Sequence, residues 1–311
     1  MKLVEKRSIY IISKPIQYVN ATNIPDNSEK DCIILDEFYN ADKFCFNIKT
    51  ISSKWNNVQI IKTRYKALFY ILKNKNKYNK LFIDSDYGVI LTLFLLFLPQ
   101  IGLYTYEEGY GSYRIVVENN SFVKKLHTVI YNIIGGKSWI GGNRFTKGMY
   151  LYYPEVFKTL VTNNPKKELF KLENDFYVHI RSLSEVKEFY KDIDFNFYCN
   201  KKIIIYLTTW IIRDDVKFYL DNYPDHYSIL KPHPHIKEQP EIKKLFNEVV
   251  DSSIPAEIFL SEISDKCSEL IIIHENSTSL IYLKPHKFKE YNYTNKDTFD
   301  YNNIRSLIQN R

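Results

Sequence analysis

Short apolar runs alternate with amphipathic segments along the whole chain, and this pattern constrains the fold more than any other feature. The runs have the length of β-strands, and the segments between them have the length and period of helices. In the first half the runs are "SIYIIS", "DCIILDEF", "NVQIIKT", "KLFIDSD" and "IGLYTY". In the second half they are "FYVHIRS", "KKIIIYLTT", "YSILKPHP", "FNEVVD" and "ELIIIHE". The alternation predicts an α/β fold of parallel sheets covered by helices on both faces.

The pattern loosens between residues 146 and 173, where prolines, asparagines and charged residues accumulate. A chain of 311 residues is long enough for two domains of ordinary size. We therefore predict two Rossmann-like domains, residues 1–160 and residues 175–311. Ligands of open α/β sheets bind at the carboxyl ends of the strands. We expect the polar residues after each strand to face a central cleft between the two domains.

The net charge of +7 favours an anionic ligand or surface, although the basic residues are dispersed and a solvated surface explains them equally well. The sequence has no basic stripe, RNA-binding motif or helix-turn-helix pattern, so we predict no nucleic-acid partner. Its four cysteines form no CxxC pair, which favours a reducing, cytoplasmic location over a disulfide framework or a metal site.

Two apolar segments bear on location. The run near the amino terminus is shorter than the roughly 7–15 residues of a signal-peptide core. "VILTLFLLFLP", residues 89–99, is about half the roughly 20 residues that span a bilayer. We predict that it forms a buried helix. A peripheral contact with the cytoplasmic face of the inner membrane is the alternative that remains open.

An acidic pair, Glu107 and Glu108, follows the strand "IGLYTY" and precedes Gly109. Two neighbouring carboxylates that are partly desolvated raise each other's pKa, as a general base near neutral pH requires. A glycine directly after them allows the backbone to turn tightly. The alternative is a solvated acidic turn without chemistry.

In the second half, "KPHPH" follows the strand "YSILK" and holds His233 between Pro232 and Pro234. The prolines restrict the backbone, and a protonated imidazole near a phosphate can neutralise or protonate a leaving group. Lys231 adds positive charge. The alternative is a rigid strand exit with an exposed histidine.

"HENSTS" follows the strand "ELIII", so that Ser277 and Thr278 fall at a predicted helix N-terminus. Free N–H groups and hydroxyls there bind anions, although Ser and Thr are also ordinary capping residues. "DSD", residues 84–86, matches the short DxD signature of metal-dependent glycosyltransferases. Its place on the fourth strand, with a second Rossmann-like half to follow, favours a strand-end turn, and we predict no metal.

Taken in order, three short motifs resemble those of bacterial sialyltransferases, above all the lipooligosaccharide sialyltransferase and polysialyltransferase group. They are Glu107-Glu108-Gly109, His233-Pro234 and Ser277-Thr278. The group also opens with a strand and a "P-x-Q" turn, here ending at Gln17, and carries a segment similar to "IPAEIF", residues 254–259. The resemblance covers most of the chain. It departs in the acidic pair, which is Glu-Glu here and contains Asp in many relatives.

The resemblance implies a GT-B fold and an inverting, metal-independent transfer of sialic acid from CMP-sialic acid to a surface glycan, such as a galactoside of lipopolysaccharide, O-antigen or capsule. No cofactor beyond this donor is implied. By position, Glu107 would be the general base and His233 the general acid or the electrostatic partner of the phosphate. The donor would be bound by Pro234, Glu257, Ser277, Thr278, Thr208 and Lys231. The acceptor side would include Gln17, Glu108 and Gly109.

Two alternatives remain. The motifs respond to the phosphate and the acceptor, so the donor could carry another CMP-activated ulosonic acid, such as Kdo or legionaminic acid. The chain could also be a nucleotide- or glycan-binding module without turnover. In either case the predicted partners are a CMP-sugar and a glycan or glycolipid.

Overall fold

The computed structural model describes residues 6–114, 129–137, 139–161, 167–208, 213, 215–233, 243–283, 287–293 and 301–310. The chain divides into two compact units, Met1–Phe189 and Tyr190–Arg311. Each unit is built on one parallel sheet, as the strand–helix alternation predicts.

The first unit contains a seven-stranded sheet in the order β3-β2-β1-β4-β5-β6-β7, with every neighbouring pair parallel. Its strands are β1 (Arg7–Ile12), β2 (Lys30–Leu35), β3 (Asn57–Ile61), β4 (Tyr78–Ile83), β5 (Gly102–Tyr106), β6 (Thr146–Leu151) and β7 (Glu168–Lys171). The central strands are buried along most of their length because helices cover them, which explains why they appear as continuous apolar runs.

Seven helices of the first unit have defined bounds. They are α1 (Pro15–Thr22), α2 (Ala41–Ile51), α3 (Arg64–Lys73), α4 (Val89–Leu95), α5 (Pro154–Leu160), α6 (Phe176–Ser182) and α7 (Ser184–Phe189). Residues 129–133 are also helical. Pro15 begins α1 at a position where a helix needs no N–H donor. Thr63 caps α3 by accepting a hydrogen bond from the backbone of Lys66.

The second unit contains a five-stranded parallel sheet in the order β10-β9-β8-β11-β12. Its strands are β8 (Lys202–Leu207), β9 (Tyr227–Lys231), β10 (Glu248–Val249), β11 (Glu269–His274) and β12 (Lys289–Asn292). Its helices are α8 (Val216–Asp221), α9 (Ala256–Ile263) and α10 (Tyr301–Gln309). Ile204, Tyr206, Leu230 and Ile271 form part of its core.

The segment that follows β7 differs from the prediction. "FYVHIRS", predicted as the first strand of the second domain, is helix α6. It begins where the Asp175 carboxylate accepts hydrogen bonds from the N–H groups of Tyr177 and Val178. Helix α7 packs on the first unit through the hydrogen bond from the Tyr18 hydroxyl to Glu185 (2.5 Å) and the ring contact of Phe189 with Phe44. The second unit therefore begins at Tyr190.

Helix α4 also differs from the prediction of a buried helix. It covers only Val89–Leu95, and its apolar side chains alternate between core and surface. Leu91 and Leu95 are buried, whereas Ile90 and Leu93 are exposed. Within the described ranges, no helix combines the length and the apolar character needed to cross a bilayer.

Candidate active site

The order of the first sheet reverses between β1 and β4, and such a switch point is where open α/β sheets bind ligands. The backbone N–H and the hydroxyl of Ser13 both donate to Gln17 Oε1 at 2.8 Å. Gln17 Nε2 donates to one Asp84 oxygen at 2.8 Å, and Arg64 donates to the other at 2.7 Å. Gln17 is fully buried. Any effect of Gln17 on an acceptor would therefore be indirect, because its buried amide joins the ends of β1 and β4.

Glu108 follows β5, the strand next to β4 in the sheet. Its side chain is 29% exposed, and its Oε1 lies 3.3 Å from Lys14 Nζ. Partial burial raises the pKa of Glu108; the nearby carboxylate of Asp84 raises it further, while Lys14 and Arg64 oppose the shift. The carboxyl end of β5 is thus followed by a carboxylate that reaches the surface and has an elevated pKa.

Glu107, the predicted base, points the other way. It is 0% exposed, and its Oε2 accepts hydrogen bonds from the Tyr113 hydroxyl at 2.5 Å and the Tyr152 N–H at 2.7 Å. A general base must reach the hydroxyl from which it takes a proton. Within the first unit Glu107 instead ties the end of β5 to the segments that follow it, which argues against the predicted role.

The two glycines after the acidic pair shape the turn that carries Glu108. Gly109 has a φ of 90°, a conformation that favours glycine, and it begins a short 3₁₀ helix at Tyr110–Tyr113. A Cβ atom on Gly111 would lie 2.9 Å from Glu108 Oε2. Gly109 therefore provides the predicted tight turn, and Gly111 leaves room for the carboxylate.

Both aspartates of the "DSD" motif accept hydrogen bonds from other residues of the first unit. Asp84 binds Gln17 and Arg64, as described above. Asp86 is fully buried and accepts hydrogen bonds from Gly141 N (2.8 Å), Asn143 N (3.0 Å) and the Thr146 hydroxyl (2.5 Å). No group of three or more potential metal-ligating side chains occurs among the residues that the structure describes. Asp86 holds the segment that leads into β6, as a strand-end turn does.

In the second unit, Thr208 and His233 meet at the ends of the neighbouring strands β8 and β9. The His233 backbone N–H donates to the Thr208 hydroxyl at 2.8 Å, which fixes the start of the His-Pro segment. His233 as a whole is partly exposed. Pro234, which the resemblance assigns to donor binding, lies outside the described residues.

Lys231, also predicted to bind the donor, is only 3% exposed. Its ammonium group donates to the carbonyl oxygens of Pro232 (2.8 Å) and Ser252 (3.4 Å). Burial lowers the pKa of Lys231 to about 8, although the negative charges of Glu257 and Asp251 act to raise that pKa. Its hydrogen bonds hold the loop after β9, and its direct contact with a donor stays a prediction. Glu257 lies in the first turn of α9 and is partly exposed.

The Ser-Thr motif follows β11. The fully buried His274 accepts a hydrogen bond on Nδ1 from the Ser277 N–H at 3.2 Å, and the Tyr301 hydroxyl donates to the Ser277 carbonyl at 3.0 Å. The helix predicted here is a short 3₁₀ helix, Thr278–Tyr282, and the Ser277 side chain makes no capping hydrogen bond. Ser277 and Thr278 are both partly exposed.

Sequence reasoning missed Lys14 and Arg64, which set the charge around Glu108 and Asp84. Lys14 stands directly after the turn that ends β1, at the strand end where ligands bind, and this position was a usable signal. Arg64 begins α3 and binds across to Asp84, a contact that depends on the sheet order and could not be derived from local sequence.

Neither the family models nor the curated proteins contain a match to this sequence. Solved structures do match over nearly the whole chain. An α/β-galactoside α-2,3-sialyltransferase from Photobacterium phosphoreum has a TM-score of 0.57 at 13% identity, covering 98% of this chain and 94% of its own. The chain has the GT-B fold.

Two further structures of this fold carry other names. The wall teichoic acid polymerase TagF matches with a TM-score of 0.51 at 14% identity, over 92% of this chain and 69% of its own. The Anabaena protein HepE, solved in complex with UDP and glucose, matches with a TM-score of 0.51 at 8% identity, over 98% of this chain and 90% of its own. At these identities the likeness establishes the GT-B fold and not the donor.

Proposed function

We propose that the protein is an inverting, metal-independent glycosyltransferase that moves sialic acid from CMP-sialic acid to a hydroxyl of a surface glycan, such as a galactoside of lipopolysaccharide, O-antigen or capsule. The observation that carries the proposal is Glu108, a surface-reaching carboxylate with a raised pKa beside the switch point of the first sheet. The order of the three motifs, the GT-B fold and the likeness to a sialyltransferase structure support it further.

The acceptor side of the reaction falls to the first unit. Glu108 accepts the proton of the attacking hydroxyl as the new bond forms to the anomeric carbon of the sugar. Lys14 favours the ionised form of Glu108, because its positive charge opposes the rise in pKa that burial causes. Gln17 and Arg64 hold Asp84 in place, so that this part of the sheet edge is rigid before substrate arrives.

The donor side falls to the second unit. As the bond between the anomeric carbon and the phosphate oxygen breaks, CMP leaves with the bonding electrons. Ser277 and Thr278 donate hydrogen bonds to this phosphate, and the His233 imidazole protonates it or balances its charge. The Thr208 hydroxyl positions His233 by accepting a hydrogen bond from the His233 backbone N–H. One phosphate carries little enough charge for these groups to stabilise it without a divalent cation.

The experiment that tests the proposal compares CMP-sialic acid, CMP-Kdo and UDP-glucose as donors, with lactose as the galactoside acceptor and nucleotide release as the readout. We expect release of CMP from CMP-sialic acid and transfer to lactose. Release from CMP-Kdo alone would favour the alternative ulosonic-acid transferase. Turnover of UDP-glucose alone would overturn the CMP-sugar assignment, and tight CMP binding without turnover of any donor would favour a binding module.

A further inference from the structure

Large apolar side chains are concentrated on the surface of three neighbouring segments of the first unit: α3, the stretch from Tyr87 to Phe97 that contains α4, and residues 129–133. Of the nineteen exposed large hydrophobic residues described, ten lie on these segments. The most exposed include Phe69 (60%), Ile90 (55%), Phe97 (66%) and Ile133 (76%). An exposed apolar patch of this kind marks an interaction surface. We call it the apolar face.

Ring contacts link the three segments of the apolar face. The rings of Phe69 on α3 and Phe94 on α4 have centroids 6.0 Å apart. On the other side, the rings of Tyr87 and Tyr131 lie 4.9 Å apart. The exposed residues Ile90, Leu93 and Phe97 follow helical spacing, and Leu96 is exposed as well. Leu91 and Leu95, which lie between them in the sequence, enter the core.

Positive charge borders this face. Residues 62–77, which include α3, contain six lysines and arginines and no acidic residue, and residues 87–106 contain no charged residue at all. The two carboxylates between these stretches, Asp84 and Asp86, are buried. Lys66 and Lys73 are exposed on the same helix as Phe69, with Lys73 one turn away from it. One acidic side chain from outside α3 reaches this helix. The Glu37 carboxylate accepts a hydrogen bond from the backbone N–H of Arg64, the first residue of α3.

We propose that the apolar face docks the protein on an anionic lipid bilayer. Exposed aliphatic and aromatic side chains enter the boundary between headgroups and acyl chains, while lysines extend their stems along it and hold their charges at the headgroups. The surplus of basic over acidic residues complements a negative lipid surface. The contact is peripheral, because α4 is far too short to span the bilayer. The proposal is independent of which sugar the enzyme transfers.

The test is co-sedimentation of the full chain with vesicles of phosphatidylcholine alone and with vesicles that also contain phosphatidylglycerol. We expect binding to the anionic vesicles, weakened by high salt, and much weaker binding to the neutral ones. Ile90→Ser with Phe97→Ser should lower the partition coefficient at least tenfold. Phe218→Ser, at an exposed residue of the second unit, is the matched control and should have no effect.

The charged border is tested separately, so that the outcome does not depend on the apolar variants alone. Lys66→Gln with Lys73→Gln should lower the partition coefficient about 30-fold, since each lysine near an anionic surface contributes about 1 kcal/mol. Lys187→Gln with Lys217→Gln changes the net charge equally at exposed sites elsewhere and should have little effect.

Three results would overturn the proposal. The first is equal binding to both kinds of vesicle or to neither. The second is vesicle binding that neither pair of variants reduces. The third is a dimer in light scattering that Ile90→Ser with Phe97→Ser dissociates, because the face would then be an interface between two copies of the chain.

Discussion

At the residue scale, the two adjacent glutamates have opposite surroundings. Glu107 is enclosed by Tyr113 and Tyr152, whereas Glu108 reaches the surface beside Lys14. The sequence predicts an acidic pair at a strand end but does not reveal which member faces inward. That depends on partners 6 and 45 residues further along the chain, which meet Glu107 only when the sheet has formed.

The burial of Glu107 predicts a structural role that can be measured. Glu107→Ala leaves the Tyr113 hydroxyl and the Tyr152 N–H without their acceptor, and hydrogen bonds to a charged group are worth roughly 1.5–3 kcal/mol each. We expect the free energy of unfolding in urea to fall by about 3 kcal/mol or more. Glu108→Ala, which breaks only a partly exposed ion pair, should change it by less than about 1 kcal/mol. Equal effects of the two substitutions would contradict this assignment.

The environment of Glu108 predicts a pH dependence. The base must be deprotonated, so kcat/KM should rise with pH through the pKa of Glu108, which lies above its ordinary value. Lys14 lowers that pKa, so Lys14→Met should move the acidic limb of the profile to higher pH. Lys187→Met, at an exposed position of α7, serves as the control and should leave the limb in place. An unmoved limb in the Lys14 variant would show that another group titrates.

At the scale of elements, the sequence predicted the buried strands well because each carries a continuous apolar run. It failed where local periodicity was ambiguous. "FYVHIRS" alternates like a strand, yet Phe176, Tyr177, His179 and Ile180 are buried at helical spacing and Asp175 caps the helix. The run at residues 89–99 was predicted to be buried because it is apolar throughout. Hydropathy alone cannot show that Ile90 and Leu93, on one side of α4, are exposed.

The turn after β4 predicts how turnover responds to metal removal. Both carboxylates of "DSD" are held by protein groups, Asp84 by Gln17 and Arg64 and Asp86 by the segment before β6. We therefore expect turnover to survive excess EDTA. Activity that is lost in EDTA and restored by manganese or magnesium would identify the motif as a metal site.

The short 3₁₀ helix after β11 predicts where the donor phosphate binds. Ser277→Ala with Thr278→Ala should weaken CMP binding, since each hydroxyl bond to a charged phosphate contributes roughly 1.5–3 kcal/mol. Isothermal titration with CMP measures the change, and Ser306→Ala, an exposed residue of α10, is the control. Unchanged affinity in the double variant, with the fold intact, would remove these hydroxyls from the donor site.

At the scale of the whole molecule, the two parallel sheets and the GT-B fold were predictable, because strand–helix alternation and motif order extend over the entire chain. The domain boundary was harder to predict. The composition changes between residues 146 and 173, but this range contains β6, α5 and β7 of the first unit, which continues through α6 and α7 to Phe189. A change in composition therefore does not locate the boundary, because a domain ends where its packing ends.

The proposed reaction depends on Glu108 acting as the base of a sialic acid transfer. The most direct measurement is the rate of transfer from CMP-sialic acid to lactose by the unaltered chain, by Glu108→Gln and by Glu107→Gln. All three proteins are checked for CMP affinity and for folding.

We expect Glu108→Gln to lower turnover about 10²-fold or more with CMP affinity retained, since it keeps the shape of the side chain and removes the base. Glu107→Gln should retain turnover in proportion to the protein that remains folded. Near-normal turnover in Glu108→Gln, together with an inactive but folded Glu107→Gln, would contradict the account and return the role of base to Glu107.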